Sequence, residues 1–406
     1  MKRLKQQKLP EGWQWKKLGE IAEVSSGNGA PQDESYFDNG GSPFVRTYDV
    51  GVFGRTSDLN ESRDRINNQA VKDHGMQLFP ARTLLIPKSG ASTFLNNRAL
   101  LGFPAYVSSH LATVIAKEAV LPEFLYYWSL TVDAKRLTHD VSYPSLRLSE
   151  IENAEVPLPS IGTQRKIISI LQKAESMKQS RSQSTKLTQR LLQSVFLEMF
   201  GDPVKNSMGW KISSIGEIIK NTQYGTSKKG NEMSKGYPCL GMNDINASGY
   251  IDDSEIKYVE LELNDYKKYK LNKGDLLFNR TNAPNLVGKT GIIRIDCNYV
   301  FASYLIRIVP NKEMIAPEYL WAYLNLPTTK MKLTSMSKKA VNQANINAKE
   351  LSRISLPIPP LESQKEFGDA LIKIERINQI DKTAYNEIEK IGGSINNMAF
   401  KGELVA

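Results

Sequence analysis

Apolar residues follow two regimes along this chain. In the first, short apolar runs are broken by Gly, Pro and Asn. Ala81–Pro87 (ARTLLIP), Lys289–Ile295 (KTGIIRI) and Tyr299–Val309 (YVFASYLIRIV) are rich in β-branched and aromatic residues and predict strands. Leu121–Leu130 (LPEFLYYWSL) and Ala316–Leu326 (APEYLWAYLNL) carry Pro in the first turn and helical apolar spacing, so they predict short helices. In the second regime a long run free of proline has apolar residues at steps of three and four. From Thr163 to Phe200 these are Ile167, Leu171, Ala174, Met177, Leu187, Leu191, Val195 and Met199. Later they are Phe367, Leu371, Ile374, Ile377, Ile380, Ala384, Ile388, Ile391, Ile395 and Met398. Each run predicts a helix of about 55 Å with one apolar seam. Pairing the two, antiparallel, buries both seams; the alternative is two helices that each cap their own domain. The polar stretch Lys178–Lys186 and the pair Gly392-Gly393 interrupt the seams, and the glycines are expected to weaken or kink the second helix.

The two regimes alternate because the chain is duplicated. Gly12–Ile21 (GWQWKKLGEI) parallels Gly209–Ile218 (GWKISSIGEI), and Ser42–Val50 parallels Tyr237–Ile245. Arg82–Gly90 parallels Gly274–Asn282, and Leu121–Trp128 parallels Ala316–Tyr323. Val156–Gln164 parallels Leu356–Gln364, and Ser194–Phe200 parallels Ser394–Phe400. The order is kept and the offset is nearly constant, which chance similarity does not produce. The predicted organisation is therefore α+β, with mixed domains at 1–160 and 204–360 and long helices at 161–203 and 361–406.

Composition narrows the function. The chain has 406 residues, 53 Lys+Arg against 43 Asp+Glu, and a formal net charge of +10. Hydrophobic residues make up 40%, so disorder is excluded. The charge suits a polyanion such as nucleic acid. No apolar run is long enough for a membrane helix, and the basic start has no apolar segment behind it, so a cytoplasmic protein is expected. Cys239 and Cys297 lack metal spacing and read as reduced thiols; the three histidines lie far apart. No catalytic triad, zinc motif or Asn-Pro-Pro-aromatic tetrapeptide occurs, so no enzyme site and no cofactor are expected. Ala283–Thr290 matches a loose P-loop. The residues after it read as a strand rather than a phosphate-binding helix, so a nucleotide-binding enzyme using Lys289 and Thr290 is a weak alternative.

Basic and amide side chains in predicted loops are the candidate DNA contacts. In the first half these are Arg46, Tyr48, Lys88, Ser89, Arg98 and Arg147, with Asn96 and Asn97 beside them. In the second they are Lys228, Lys229, Asn243, Asn279, Arg280, Thr281, Asn282, Lys338, Asn342 and Asn345, with Lys339 and Gln343 beside them. Arginine reads guanine and Asn or Gln reads adenine in the major groove, while Lys, Ser and Thr hold phosphates. Any one of these residues alone is better explained by a solvated surface role than by a base contact; their recurrence in both halves is what favours nucleic acid.

The combination of motifs resembles the specificity (S) subunit of type I restriction–modification systems. It rests on the paired Gly-Trp openings, the Leu276–Thr281 segment (LLFNRT), the Pro-x-Pro-x-x-x-x-Gln start of each long helix, Met199–Pro203 and Ala399–Leu404. The resemblance covers nearly the whole chain. It implies two target-recognition domains in a pseudo-two-fold arrangement, separated by long antiparallel coiled-coil helices. Each domain would read half of a bipartite site in double-stranded DNA, and the helices would set the gap. The subunit would be non-catalytic and would scaffold two methyltransferase (M) subunits and restriction (R) subunits, which carry S-adenosylmethionine, ATP and Mg. Ile168, Leu192 and Phe196 are placed either at the M-subunit docking face or inside the coil. The halves differ at Pro87-Lys88-Ser89 against Asn279-Arg280-Thr281, and at Ser145-Leu146-Arg147 against Asn345-Ile346-Asn347. A coiled-coil scaffold with two domains that bind something other than DNA remains the alternative.

Overall fold

The computed structural model describes residues 9–52, 58–133, 144–283, 286–336, 338–340 and 343–404. It divides into two compact units, 1–182 with 383–406, and 183–382. Among the described residues no helix is long and apolar enough to cross a membrane.

In the first unit a five-stranded sheet runs in the order Ala22–Ser26, Leu111–Ala116, Leu84–Pro87, Ala99–Leu101, Asp58–Leu59. A four-stranded sheet has the order Asp64–Ile66, Phe37–Val45, Ala105–Val107, Leu78–Phe79. In the second unit the main sheet is Ile219–Tyr224, Leu305–Pro310, Leu276–Asn279, Thr290–Ile292, antiparallel throughout. A second sheet joins Lys257–Val259, Tyr237–Leu240 and Val300–Phe301. A small one joins Thr281–Asn282, Gln343–Asn345 and Lys338–Ala340.

The duplication holds at the level of single bonds. Leu84 pairs with Leu100 in one unit and Leu276 with Ile292 in the other. The openings pair with the Pro-x-Pro segments in the same way, Gln14 with Leu158 and Lys211 with Ile358. Asp49 accepts from the Arg46 amide at 2.7 Å, and Asp244 from the Gly241 amide at 2.7 Å. Arg82 and Gly274 occupy equivalent places with φ of +68° and +95°, and their amides reach Leu101 O and Ile293 O. Glycine takes that backbone freely. The arginine is held there by Asp58, at 2.6 Å, and by Glu123. Gly27 and Gly225 are required for close approach: a Cβ would come to 2.0 Å of Val107 O and 2.2 Å of Phe301 O.

The long helices are Ile161–Phe200 and Leu361–Lys401. Their starts explain the shared glutamine. Gln164 and Gln364 are fully buried. Gln164 accepts from Leu121 N (2.9 Å) and donates to Ala119 O (3.1 Å) and Pro159 O (3.0 Å). Gln364 accepts from Ala316 N (2.8 Å) and donates to Pro359 O (2.8 Å). Each glutamine thereby ties a long helix to the start of a short one, Pro122–Ser129 or Pro317–Asn325.

In each unit the beginning of one long helix lies with the end of the other, so the two helix segments inside a unit run antiparallel. In the first unit Ile167, Ile168 and Leu171 share a core with Phe124, Trp128, Ala399 and Phe400. Lys178 Nζ is 2.6 Å from Glu389 Oε1. In the second unit Phe196 and Phe200 pack against Tyr319 and Phe367, with ring centroids 4.9–5.5 Å apart. The second helix runs on through Gly392-Gly393. One expectation changes. The seams are not buried along their length: Met177, Leu187, Leu191, Ile377, Ile380 and Ile391 are about half exposed or more.

Candidate nucleic-acid interface

Each main sheet ends in a polar cluster, and the backbone of the two clusters is the same. In the first unit the Lys88 amide donates to His110 O at 3.0 Å, and Lys88 O accepts from Leu146 N at 2.8 Å. In the second the Arg280 amide donates to Tyr304 O at 3.1 Å, and Arg280 O accepts from Ile346 N at 2.9 Å. The next residue bridges onward, Ser89 to Ser145 and Thr281 to Asn345. Such ladder bonds fix the backbone whatever side chain it carries.

The side chains differ. Ser89 Oγ and His110 Nδ1 are 2.6 Å apart, and Arg147 is exposed beside Leu146. In the second unit Asn345 Nδ2 donates to Thr281 Oγ1 at 3.0 Å. The Arg280 guanidinium lies 4.8 Å from the centre of the Tyr224 ring. Tyr224 Oη in turn accepts from the Ala348 amide at 3.0 Å. Asn347 caps the following helix, accepting from Glu350 N at 2.9 Å. Lys88, Ser89 and Arg147 are thus brought together in one unit, and Arg280, Thr281 and Asn345 in the other. Asn282 adjoins the latter; its Oδ1 accepts from the Ala283 amide at 2.8 Å. Sequence reasoning missed His110, Tyr224 and Tyr304, and had marked Ser145 and Asn347 only as places where the halves differ. His110 and Tyr304 lie just ahead of equivalent strands, Leu111–Ala116 and Leu305–Pro310, and the repeat already contained that signal.

Other candidates lie elsewhere. Arg46 is bound to Asp64 at 2.5 Å between the Phe37 and Phe44 rings, and Tyr48 is exposed under Arg63. Lys228 reaches Asp265 at 3.6 Å, and Lys229 and Asn243 are exposed. Lys338 lies on a strand that pairs with Gln343–Asn345. Asn342 lies outside the described residues, as do Pro284 and Asn285.

Two candidates are corrected. Arg98 is 3% exposed, donates to Asn97 O at 2.8 Å, and burial pulls its pKa down to about 10. Asn279 is fully buried and donates to Met242 O at 3.1 Å. Each follows directly on, or precedes, buried strand residues, so its side chain is drawn into the interior and cannot reach a base. Of the two placements left open for Ile168 and Phe196, the structure shows burial, since both belong to the cores of their own units; Leu192 is half-buried against the second.

The nucleotide alternative also fails on geometry. Lys289 is buried and donates to Met242 O at 3.1 Å and Ile245 O at 2.5 Å. Burial lowers its pKa. Thr290 is fully buried in a strand, with its hydroxyl on Gly288 O. A phosphate-binding lysine needs an open ammonium and a following helix; here neither is present.

Comparison with known proteins agrees with this architecture. The chain is 23% identical to the EcoBI type I restriction enzyme specificity subunit of Escherichia coli, over 98% of this chain and 87% of that one. It is 31% identical to the putative MjaX specificity subunit of Methanocaldococcus jannaschii, where the match spans 41% of this chain and 40% of that subunit's length. Among solved structures, the type I restriction–modification S subunit from M. genitalium has a TM-score of 0.58 at 13% identity, covering 97% of this chain and 98% of that one. A chain solved in work on complex assembly and conformational transition of the type I R-M system also gives 0.58, at 18% identity over 98% and 100%. At these identities the likeness is one of fold. The model of the type I restriction modification DNA specificity domain matches twice, at residues 10–188 and 207–390, and the chain belongs to that family.

Proposed function

We propose that this chain is the non-catalytic, DNA-reading subunit of a type I restriction–modification complex. Each unit reads one half of a bipartite site in double-stranded DNA. The observation that carries this is the pair of polar clusters: one backbone frame, built twice, presenting Lys88-Ser89 in one unit and Arg280-Thr281 in the other. A frame that holds its backbone bonds while its side chains change suits direct readout, in which side chains select bases. Lysines such as Lys228 and Lys229 supply the salt-dependent share of affinity.

Two methyltransferase subunits and the restriction subunits dock on the chain, and S-adenosylmethionine, ATP and Mg reside on them. Exposed apolar side chains on the long helices suit such docking: Met177 and Ile391 in the first unit, and Leu187, Leu191, Ile377 and Ile380 in the second. The helices set the gap between half-sites. The test is methylome sequencing of a methylation-free host that carries this chain with its cognate methyltransferase subunit. Methyladenine at a two-part motif with a fixed gap is expected. No new methylation, with the complex shown to co-purify, would overturn DNA reading and favour an interaction scaffold.

A further inference from the structure

The second inference rests on the DNA-reading role and narrows it to one side chain. Several described arginines are paired with carboxylates. Arg46 is held by Asp64, Arg82 by Asp58 and Glu123, Arg294 by Glu375 at 2.5 Å, and Arg307 by Asp275 at 2.6 Å. Arg280 is held by another means. Its amide and carbonyl are both engaged, by Tyr304 and Ile346. Its guanidinium rests on the Tyr224 ring, and its Nε is buried with no hydrogen-bond partner among the described residues. The ring is anchored at both ends: Tyr224 ends a strand paired to Ile306, and its hydroxyl accepts from Ala348 N.

A planar guanidinium stacked on a fixed ring loses little freedom on binding, and its outer N–H pair keeps one direction. Among the described residues its fork meets no acceptor. Guanine offers the matching pair, O6 and N7, on its major-groove edge. The equivalent place in the first unit has neither half of this device. Lys88 stands where Arg280 does, and Ser26, paired with Ala112, stands where Tyr224 does. A lysine ammonium is a point charge on a flexible stem, suited to a phosphate. We propose that Arg280, positioned by Tyr224, reads a guanine in the half-site of the second unit, and that Lys88 makes no base-selective contact at the equivalent place.

The test uses the full chain with its methyltransferase subunit. Methylomes are compared for wild type, Arg280→Ala, Arg280→Lys, Tyr224→Ala and Lys88→Ala. The two Arg280 variants are expected to make one guanine of one half-site degenerate, with discrimination falling roughly 5- to 150-fold. Tyr224→Ala should relax the same position to a smaller degree. Lys88→Ala should keep every letter of the motif and lower occupancy throughout. An Arg280→Ala motif identical to wild type, or a shift at a base other than guanine, would overturn the proposal. Should Arg280→Ala abolish methylation, the wild-type complex is tested on duplexes with 7-deazaguanine at each guanine in turn. Sensitivity at one position of one half-site supports the proposal, and insensitivity at all of them overturns it. Absence of any motif for wild type would instead refute the DNA-reading role itself.

Discussion

Gln364→Leu tests whether the glutamine at the head of each long helix is what ties it to the recognition domain. Leucine has nearly the same volume, so the change removes polarity without opening a cavity. Ala316 N then loses its acceptor and Pro359 O its donor, both at a fully buried residue. Each unpaired backbone group costs about 1–3 kcal/mol. Leucine returns about 1–2 kcal/mol, because no amide need be desolvated. At mid-range the net loss is about 2.5 kcal/mol. For a unit of this size each kcal/mol moves the midpoint by about 2–4 °C, so the transition of the second unit should fall by about 5–10 °C. Calorimetry on the full chain measures it, and hydrogen exchange at the Ala316 amide localises it. Gln164→Leu strips Leu121 N, Ala119 O and Pro159 O of a partner and should cost more, in the first unit. A midpoint within about 1 °C of wild type for Gln364→Leu would refute the reasoning.

The remaining predictions are briefer. Gly225→Ala forces a Cβ to 2.2 Å of Phe301 O, so chemical denaturation should show a loss of about 3 kcal/mol or more. Lys289→Met leaves Ile245 O without its donor, while Met242 O keeps the Asn279 amide. It should cost about 1–3 kcal/mol and speed proteolysis within residues 241–252, while wild type binds no ATP in calorimetric titration. Inserting about four residues, one helical turn, into both long helices should lengthen the gap in the methylated motif and spare both half-sites; an unchanged gap would refute the helices as spacers.

Much of the framework was legible in the sequence, and the reasons are local. The short helices Pro122–Ser129 and Pro317–Asn325 start at the prolines that mark them, and the long helices follow from apolar steps of three and four. The seam was less legible. Periodicity places Leu187 and Ile380 on an apolar stripe but does not say whether anything covers it, and both are exposed. Gly392-Gly393 lower helix propensity by about 1 kcal/mol each, and a long helix with packed ends absorbs that and runs on through them. Among the candidate contacts, Arg98 and Asn279 were lost because loop composition does not reveal side-chain direction. Tyr224 was missed because nothing in its local sequence joins it to Arg280; only the pairing of Ile219–Tyr224 with Leu305–Pro310 brings it near the end of the neighbouring strand.

The duplication explains how one fold can carry two different readers. Interactions shared by both units run through the backbone or through buried side chains: the Gln164 and Gln364 ties, the Asp49 and Asp244 caps, the close passages at Gly27 and Gly225. Changing any of them leaves an unsatisfied group or a clash inside the core, at a cost comparable to a large part of the 5–15 kcal/mol that keeps a domain folded. At the ends of the main strands the balance is different. Lys88 and Arg280 make the same two backbone bonds, and those bonds survive any substitution except proline. His110 and Tyr304, Ser145 and Asn345, Arg147 and Asn347 vary on the same frame. Residues there can change what is read while leaving stability nearly untouched. On this reasoning, exchanges confined to 89 and 145 in one unit, or to 280, 281 and 345 in the other, should alter the methylated motif far more than they alter melting.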